Sequence, residues 1–239
     1  MYRTEHLMYL RSLLFYVLYI SSGLAIGVLV CLISIFVPIR NRLKVASLWP
    51  RFASWCLSKI CKIEIEIKGT ENIPDAPFVL VSNHQSSWEA YFFQYFFFPV
   101  TTLLKRELLI IPIWGWALAF LNPIYINRRK PKKALLKFMK IGQRKLKDGF
   151  ILLSFPEGTR MAPGEIGEYA RSAFELAKRS KVPLLPVVHN AGNYWEAHKF
   201  LKRPGKISLV IGEKIIIDNS SFQSKEVENW SRNVLSEIN

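Results

Sequence analysis

Cysteine and acidic residues are both scarce in this sequence. Cys31, Cys56 and Cys61 are its only cysteines. Their number is odd and they form no C-x-x-C pair, so neither a disulfide framework nor a zinc site is expected, and a reducing compartment is favoured. Asp and Glu number 18 against 33 Lys and Arg, a net charge of +15 at pH 7. This excess favours an anionic partner, such as nucleic acid, a lipid surface or a phosphorylated substrate. Hydrophobic residues make up 50% of the 239 residues, which excludes a disordered protein.

Charge is absent altogether from residues 12–37, a run of 26 residues. A helix of about 20 apolar residues spans the core of a bilayer, and a soluble helix is rarely apolar on every face. The run therefore predicts a membrane segment. The sequence Ser21-Ser22-Gly23 interrupts it, so both a single spanning helix and a hairpin that dips into one leaflet remain open.

Basic residues flank this run unequally. Arg3 and Arg11 precede it, whereas a larger basic group follows, at Arg40, Arg42, Lys44 and Arg51. The positive-inside rule places the following part of the chain in the cytoplasm. We predict a membrane-anchoring helical segment over residues 1–60 and an α/β domain over residues 61–239.

Strand and helix patterns alternate along the second part. Strands are predicted at 63–67, 78–82, 100–104, 123–126, 150–155, 183–188, 207–211 and 214–217. Helices are predicted at 86–98, 108–121, 132–147, 167–180 and 222–238. This alternation predicts an α/β fold with a mixed, largely parallel sheet flanked by helices, preceded by an N-terminal membrane helix or helical hairpin.

One candidate for acid–base chemistry follows the strand that ends at Ser82. There the sequence reads NHQSSWE and contains His84 and Glu89. His84 is expected at the carboxyl edge of the sheet, where α/β proteins place their ligands. Glu89 would fix the imidazole and leave its other nitrogen free to take a proton from a hydroxyl. Two structural alternatives are a capping box formed by Ser86 and Glu89, and a histidine that only bonds the backbone.

Two further polar clusters follow predicted strands. FPEGTR contains a glycine for close backbone approach, a hydroxyl, and an arginine whose fork matches phosphate oxygens. Its candidate residues are Glu157, Gly158, Thr159 and Arg160. Lys105 and Arg106 are two cations that would also hold a phosphate. The alternatives are an ordinary polar turn and a solvated charge cluster.

Taken in order, the blocks NHQSSWE, KRE, FPEGTR and VPLLPV resemble the four motifs of the glycerolipid acyltransferase family. More narrowly, they resemble its bacterial members that acylate 1-acylglycerol 3-phosphate. The resemblance covers residues 64–217. It implies transfer of an acyl chain from a thioester to the sn-2 hydroxyl of lysophosphatidic acid. The product would be phosphatidic acid, made for phospholipid biosynthesis at the cytoplasmic face of a bacterial inner membrane.

The resemblance also implies roles for the residues. His84 would be the general base and Glu89 its orienting carboxylate. The glycerol phosphate would be held by Glu157, Gly158, Thr159 and Arg160, with Lys105 and Arg106 assisting. No metal or organic cofactor is expected, because the donor, acyl-CoA or acyl carrier protein, is an activated thioester. The sequence departs from the family at Glu89, where Asp is usual, and at Glu168, where relatives are more basic.

The segment from residue 128 to residue 147 contains ten basic residues and no acidic one. They are Arg128, Arg129, Lys130, Lys132, Lys133, Lys137, Lys140, Arg144, Lys145 and Lys147. Such a helix suits anionic membrane lipids, an acidic acyl carrier protein or the phosphates of coenzyme A, and a solvated face is the alternative.

Two other functions compete with this reading. One is acyl transfer to a different lysolipid acceptor. The other, much weaker, is a membrane-tethered nucleic-acid-binding protein, but no helix-turn-helix, zinc-finger or RNA-recognition signature occurs, so no nucleic-acid partner is expected. A hydrolase is disfavoured because no G-x-S-x-G elbow is present.

Overall fold

Seven strands form one sheet in the computed structural model, which describes residues 2–127 and 129–239. The strands are β1 (Ile63–Lys68), β2 (Val79–Ser82), β3 (Val100–Lys105), β4 (Ile124–Ile126), β5 (Ile151–Ser154), β6 (Leu184–His189) and β7 (Gly205–Ile211). Their order is β1-β7-β6-β2-β5-β3-β4. All neighbours are parallel except β6 and β7. The predicted mixed, largely parallel sheet is therefore confirmed, and the carboxyl ends of β2 to β6 meet at one edge.

Helices cover both faces of this sheet. Over the described residues they are α1 (Tyr2–Ile33), α2 (Ile39–Ala46), α3 (Leu48–Cys61), α4 (Trp88–Phe96), α5 (Trp114–Phe120), α6 (Pro131–Lys147), α7 (Ser172–Ser180) and α8 (Ser220–Ile238). Short 3₁₀ helices occur at Thr70–Asn72, Arg106–Ile110 and Ala191–Asn193.

Three predicted elements were wrong in extent. The helix predicted over 108–121 is broken at Pro112, because proline lacks the N–H that a continuous helix needs and restricts the residue before it. The helix predicted from Gly167 begins at Ser172, since the Gly167 and Tyr169 N–H groups donate to glutamate side chains instead. The strand predicted over 214–217 is reduced to a single bridge between Leu184 and Ile215.

Two hydrophobic clusters hold the layers together. Alternation along β2 sends Leu80 to one face and Val79 and Val81 to the other. The first face packs under α3 and α4, with Leu57 and Phe92 in its core. The second face packs under α6, α7 and α8. Much of the aromatic stretch from residue 91 to residue 98 is therefore core packing.

Residues Glu5–Ile33 of α1 form a helix long and apolar enough to cross a membrane by length and composition. The helix runs without a break through Ser21-Ser22-Gly23. Gly23 admits the aromatic rings packed on it, since a Cβ there would lie 2.4 Å from Trp114 and 2.8 Å from Trp49. Small residues thus allow α3 and α5 to approach α1 closely.

The helices α1 and α3 form a hairpin whose two ends lie together. The Cys61 thiol at the end of α3 is 3.8 Å from the carbonyl of Arg11. Further along, the Trp49 indole donates to the carbonyl of Tyr19. The chain reverses after Ile33, where Ile35 and Phe36 are exposed. The predicted alternative of a hairpin within residues 12–37 is therefore wrong, because α1 continues through Ser21-Ser22-Gly23 and the chain turns back only after Ile33, between α1 and α3. The boundary at residue 60 stays a prediction.

Lys202 fixes the start of α1 to the sheet domain. Its backbone N–H donates to Ser12 Oγ at 2.9 Å, and its Nζ donates to the Tyr16 hydroxyl at 2.7 Å. The ammonium also lies 4.5 Å from the centre of the Trp195 ring. Burial lowers the pKa of Lys202 to about 7. The hairpin is thus attached through a buried lysine that contacts aromatic rings.

The basic face predicted on α6 is present, except that Lys145 is buried. Arg128 lies outside the described residues. The exposed cations of the helix are Lys132, Lys133, Lys137, Lys140, Arg144 and Lys147. Lys145 is buried instead, with its Nζ 4.7 Å from the centre of the Phe150 ring.

Candidate active site

His84 lies in the loop between β2 and α4, at the carboxyl edge of the sheet. Its Nδ1 is 2.7 Å from Oε1 of Glu89. The carboxylate is fully buried, whereas the imidazole is 16% exposed. The ring stacks on Phe155, with centroids 4.2 Å apart. An acceptor at Nδ1 places the proton there, so Nε2 is left as the basic nitrogen.

Glu89 both orients His84 and closes the start of α4. Its Oε1 accepts hydrogen bonds from the backbone N–H groups of Gln85 at 2.9 Å and Ser86 at 2.8 Å. One carboxylate therefore both orients His84 and forms the predicted capping contact with Ser86, whereas the alternative of a histidine that only bonds the backbone is wrong. Burial raises the pKa of Glu89, but His189, His84 and the backbone hydrogen bonds outweigh burial and hold the pKa below its usual range. Glu89 is thus a carboxylate that stabilises a protonated imidazole.

A second histidine lies behind this pair. His189 ends β6 and is fully buried, with Nε2 3.9 Å from Oε2 of Glu89. Its Nδ1 accepts from the Ala191 N–H, so its Nε2 carries the proton and donates to the Asn83 carbonyl at 3.1 Å. Burial lowers the pKa of His189, although the Glu89 carboxylate and the hydrogen bond to Asn83 oppose this shift. The Asn83 side chain in turn exchanges two hydrogen bonds with the His189 backbone.

Sequence reasoning missed His189. The only signal available was a histidine that closes an apolar strand, and nothing showed that β6 lies beside β2. The structure brings the two strand ends together, 106 residues apart along the chain.

The loop after β5 is tied directly to the His84 loop. Oε2 of Glu157 accepts from the His84 N–H at 2.7 Å, and its Oε1 accepts from the Gly167 N–H at 3.0 Å. Nε of Arg160 donates to the Ser86 carbonyl at 3.0 Å. Burial raises the pKa of Glu157 to about 7 in spite of these two N–H donors. Both carboxylate oxygens of Glu157 are therefore used to hold the backbone at His84 and at Gly167.

The rest of this loop faces solvent. Gly158 and Thr159 are exposed, and Gly158 adopts a φ of +71°, which favours glycine. Arg160 is partly exposed, and besides the Nε–H its guanidinium carries about four further N–H donors on its terminal nitrogens. These features suit a loop that receives an anionic group.

Replacing Glu157 by glutamine is expected to lower the free energy of unfolding by about 1–3 kcal/mol at pH 5, because the amide NH₂ must face one of two N–H donors. The raised pKa means that the native protein binds a proton that the unfolded chain releases near 4.5. This contribution to stability is full below that pH and is lost as the pH rises through about 7. Glutamine does not titrate, so the free energy of unfolding of the variant lacks this pH dependence. The difference in free energy of unfolding between parent and variant should therefore narrow from pH 5 to pH 7.5.

Urea unfolding in detergent at the two pH values measures this gap. Glu165→Gln is the matched control, because Glu165 is exposed in the same loop region. A gap that widened with pH would contradict the assignment.

Lys105 and Arg106 lie at the same edge of the sheet, beyond β5. Lys105 ends β3, which neighbours β5, and Arg106 begins the following 3₁₀ helix. Among the described residues, no hydrogen bond or ion pair joins either of them to His84, Glu89 or Arg160. Glu168, the departure noted in the sequence, lies 3.6 Å from Lys225 Nζ. His84, Glu89 and Arg160 therefore belong to one group linked by hydrogen bonds. Lys105 and Arg106 lie near this group, at the end of β3, without a hydrogen bond to it in the described part of the chain.

Comparisons with known proteins agree with this arrangement. Residues 64–190 match the sequence model of the family described as Acyltransferase. The chain is 40% identical over 235 residues to the 1-acyl-sn-glycerol-3-phosphate acyltransferase of Pseudomonas aeruginosa, covering 96% of this chain and 91% of that protein. It is 33% identical over 128 residues to the human 1-acyl-sn-glycerol-3-phosphate acyltransferase alpha, covering 53% and 45%.

A solved structure has the same architecture. The crystal structure of the 1-acyl-sn-glycerophosphate (LPA) acyltransferase PlsC from Thermotoga maritima matches with a TM-score of 0.80 at 25% identity. The match covers 96% of this chain and 95% of that one. All four sequence blocks lie inside the range matched by the family model. The resemblance drawn from them is therefore confirmed, and this chain is an enzyme that belongs to the acyltransferase family.

Proposed function

We propose that the protein transfers an acyl chain from a thioester to the sn-2 hydroxyl of 1-acylglycerol 3-phosphate, forming phosphatidic acid for phospholipid biosynthesis. The observation that carries this proposal is the contact of 2.7 Å between His84 and the buried Glu89 carboxylate, together with its link to Arg160. The Ser86 N–H donates to Glu89, and the Ser86 carbonyl accepts from Arg160. A base and a phosphate-binding fork on adjoining loops suit an acceptor whose hydroxyl and phosphate are separated by a few bonds. The relatives that the chain matches are named for this acceptor.

In this reaction Nε2 of His84 takes the proton of the acceptor hydroxyl as its oxygen attacks the thioester carbonyl carbon. The C–O bond forms and the C–S bond breaks. The imidazolium then donates this proton to the leaving thiolate, so no proton is gained or lost overall. Glu89 stabilises the imidazolium through Nδ1. The thioester is already activated, and the proposed reaction uses no metal or organic cofactor.

Arg160 binds the acceptor phosphate through its terminal nitrogens, and Thr159 offers a hydroxyl contact beside it. Gly158 shapes the turn, since its N–H donates to the Phe155 carbonyl at 3.1 Å. Glu157 acts as a positioning residue, because both of its oxygens are committed to loop N–H groups. Lys105 and Arg106 add positive charge at the neighbouring strand end.

The protein acts at the membrane, with the sheet domain on the cytoplasmic face of the bacterial inner membrane. The apolar hairpin carries exposed Ile35 and Phe36 at its turn, and a basic group follows in α2. Apolar and basic side chains in this order suit an anionic lipid surface.

Thioester turnover by detergent-purified protein tests the proposed reaction. Lysophosphatidic acid is supplied with acyl-CoA and, separately, with acylated carrier protein. We expect phosphatidic acid with at least one donor. A protein that makes no product with either donor but acylates a lysolipid bearing a headgroup would overturn the assigned acceptor.

A further inference from the structure

A basic groove lies beside the candidate active site. It has a volume of about 450 Å³ and is bounded by the 3₁₀ helix after β3, the end of β4 and the first turns of α6. Four cations line it: Arg106, Lys130, Lys133 and Lys137. The other lining residues are Leu109, Tyr125, Asn127 and Ala134. No acidic residue is among the described residues that line it, and none of the four cations forms an ion pair within the described chain.

The start of α6 makes this arrangement electrostatically unfavourable in the free protein. A helix N-terminus carries partial positive charge and is normally stabilised by acidic residues. Here Lys130 precedes the helix, Lys132 and Lys133 lie in its first turn, and no side chain caps it. An anion bound in the groove would relieve this repulsion, and phosphate is the anion that such a cluster matches best.

Tyr125 lines the groove with its ring rather than with its hydroxyl. Its hydroxyl is buried and makes no hydrogen bond with the described residues. Burial raises the pKa of Tyr125 to about 12, so the hydroxyl keeps its proton at pH 7. The hydroxyl therefore stays behind the wall of the groove, and the cations are the groups that would meet a phosphate.

The position of the groove decides which phosphate it receives. His84 follows β2, and the groove lies at the ends of β3 and β4, in the sheet order β2-β5-β3-β4. At about 4.8 Å per strand, these ends lie about 10 and 14 Å from the end of β2. The acceptor phosphate is only a few bonds from the reacting hydroxyl, so it stays near Arg160 and cannot contact Lys130, Lys133 or Lys137 while that hydroxyl is at His84. The phosphates of the donor lie at the far end of a long pantetheine arm.

We infer that this groove binds the phosphate groups at the far end of the pantetheine arm of the acyl donor. The inference rests on the proposed thioester reaction and makes the groove a second phosphate site, separate from Arg160. Coenzyme A and the prosthetic arm of acyl carrier protein share this phosphopantetheine chemistry. Lys133 and Lys137 are one helical turn apart and both line the groove.

The double variant Lys133→Gln/Lys137→Gln tests this assignment. Its KM for the acyl donor should rise on the order of tenfold, the effect of about 1.4 kcal/mol of lost binding. kcat and the KM for lysophosphatidic acid should stay within about twofold. The matched control is Arg144→Gln/Lys147→Gln, which removes two exposed charges from the same helix about 15 Å further along. An unchanged donor KM, or an equal rise in the control, would overturn the inference.

Two further measurements distinguish a failure of the groove assignment from a failure of the proposed reaction. Calorimetry of coenzyme A with His84→Ala protein should give binding that the added groove substitutions weaken on the order of tenfold, whether or not the parent turns over lysophosphatidic acid. Flotation with phosphatidylglycerol vesicles should be unaffected by the groove substitutions. Loss of flotation with an unchanged donor KM would assign the groove to lipid headgroups and overturn the inference. Absence of turnover in the parent, with coenzyme A binding intact, would refute only the proposed reaction.

Discussion

Replacing His84 by alanine is expected to lower kcat by about 10²–10⁴-fold, the usual contribution of a general base. Within the described part of the chain no other base takes this position, because Glu89 is buried behind the imidazole and its Oε1 already accepts three hydrogen bonds. The KM for lysophosphatidic acid should change little, since Arg160 is untouched. Initial rates of phosphatidic acid formation measure the effect.

A structural role for His84 would give a different result. The ring is partly exposed and stacks on one face of Phe155, so the alanine variant should unfold within a few degrees of the parent. Added imidazole should restore part of the lost turnover by entering the vacated space. Near-normal activity, or a loss of activity explained by unfolding, would refute the assignment of His84 as the base.

Replacing Arg160 by alanine is expected to raise the KM for lysophosphatidic acid about 10- to 100-fold, because a phosphate loses a charge-assisted, two-pronged partner. The KM for the acyl donor should change much less. Arg160→Lys is the informative companion, since it keeps the charge but not the planar fork. Steady-state kinetics with each substrate varied in turn separates the two constants.

The contrast between the variants tests geometry as well as charge. Lysine should recover only a fraction of the acceptor affinity, because an ammonium offers one point of contact. Full recovery by Arg160→Lys would show that charge alone suffices. An acceptor KM unchanged in Arg160→Ala would remove Arg160 from the phosphate site.

Short-range features of this site were predictable from the sequence. His84 and Glu89 are five residues apart at a strand-to-helix junction, so local geometry alone brings them together. The order of the four blocks placed the loops at one edge of the sheet. The direction of each side chain was not predictable in the same way. Glu157 follows a strand like Arg160, yet its carboxylate points back to the His84 backbone.

Long-range features depended on strand order. The contact between Asn83 and His189 joins residues 106 positions apart, and no periodicity encodes it. The groove beside β4 likewise requires the start of α6 to return next to Arg106. Pro112 shows the opposite case. The break in the helix follows from the local chemistry of proline, but the prediction gave more weight to the apolar pattern on either side of it.

The hydrogen bond from Arg160 to the Ser86 carbonyl links recognition to turnover. Ser86 also donates its N–H to Glu89, the partner of the base, so the three groups share one short stretch of backbone. In the proposed reaction, a phosphate that holds Arg160 would therefore also hold the Ser86 backbone and, through Glu89, the imidazole. Selectivity against an uncharged monoacylglycerol should thus appear in the turnover number as well as in affinity, since binding energy far from the reacting atoms is used to organise them.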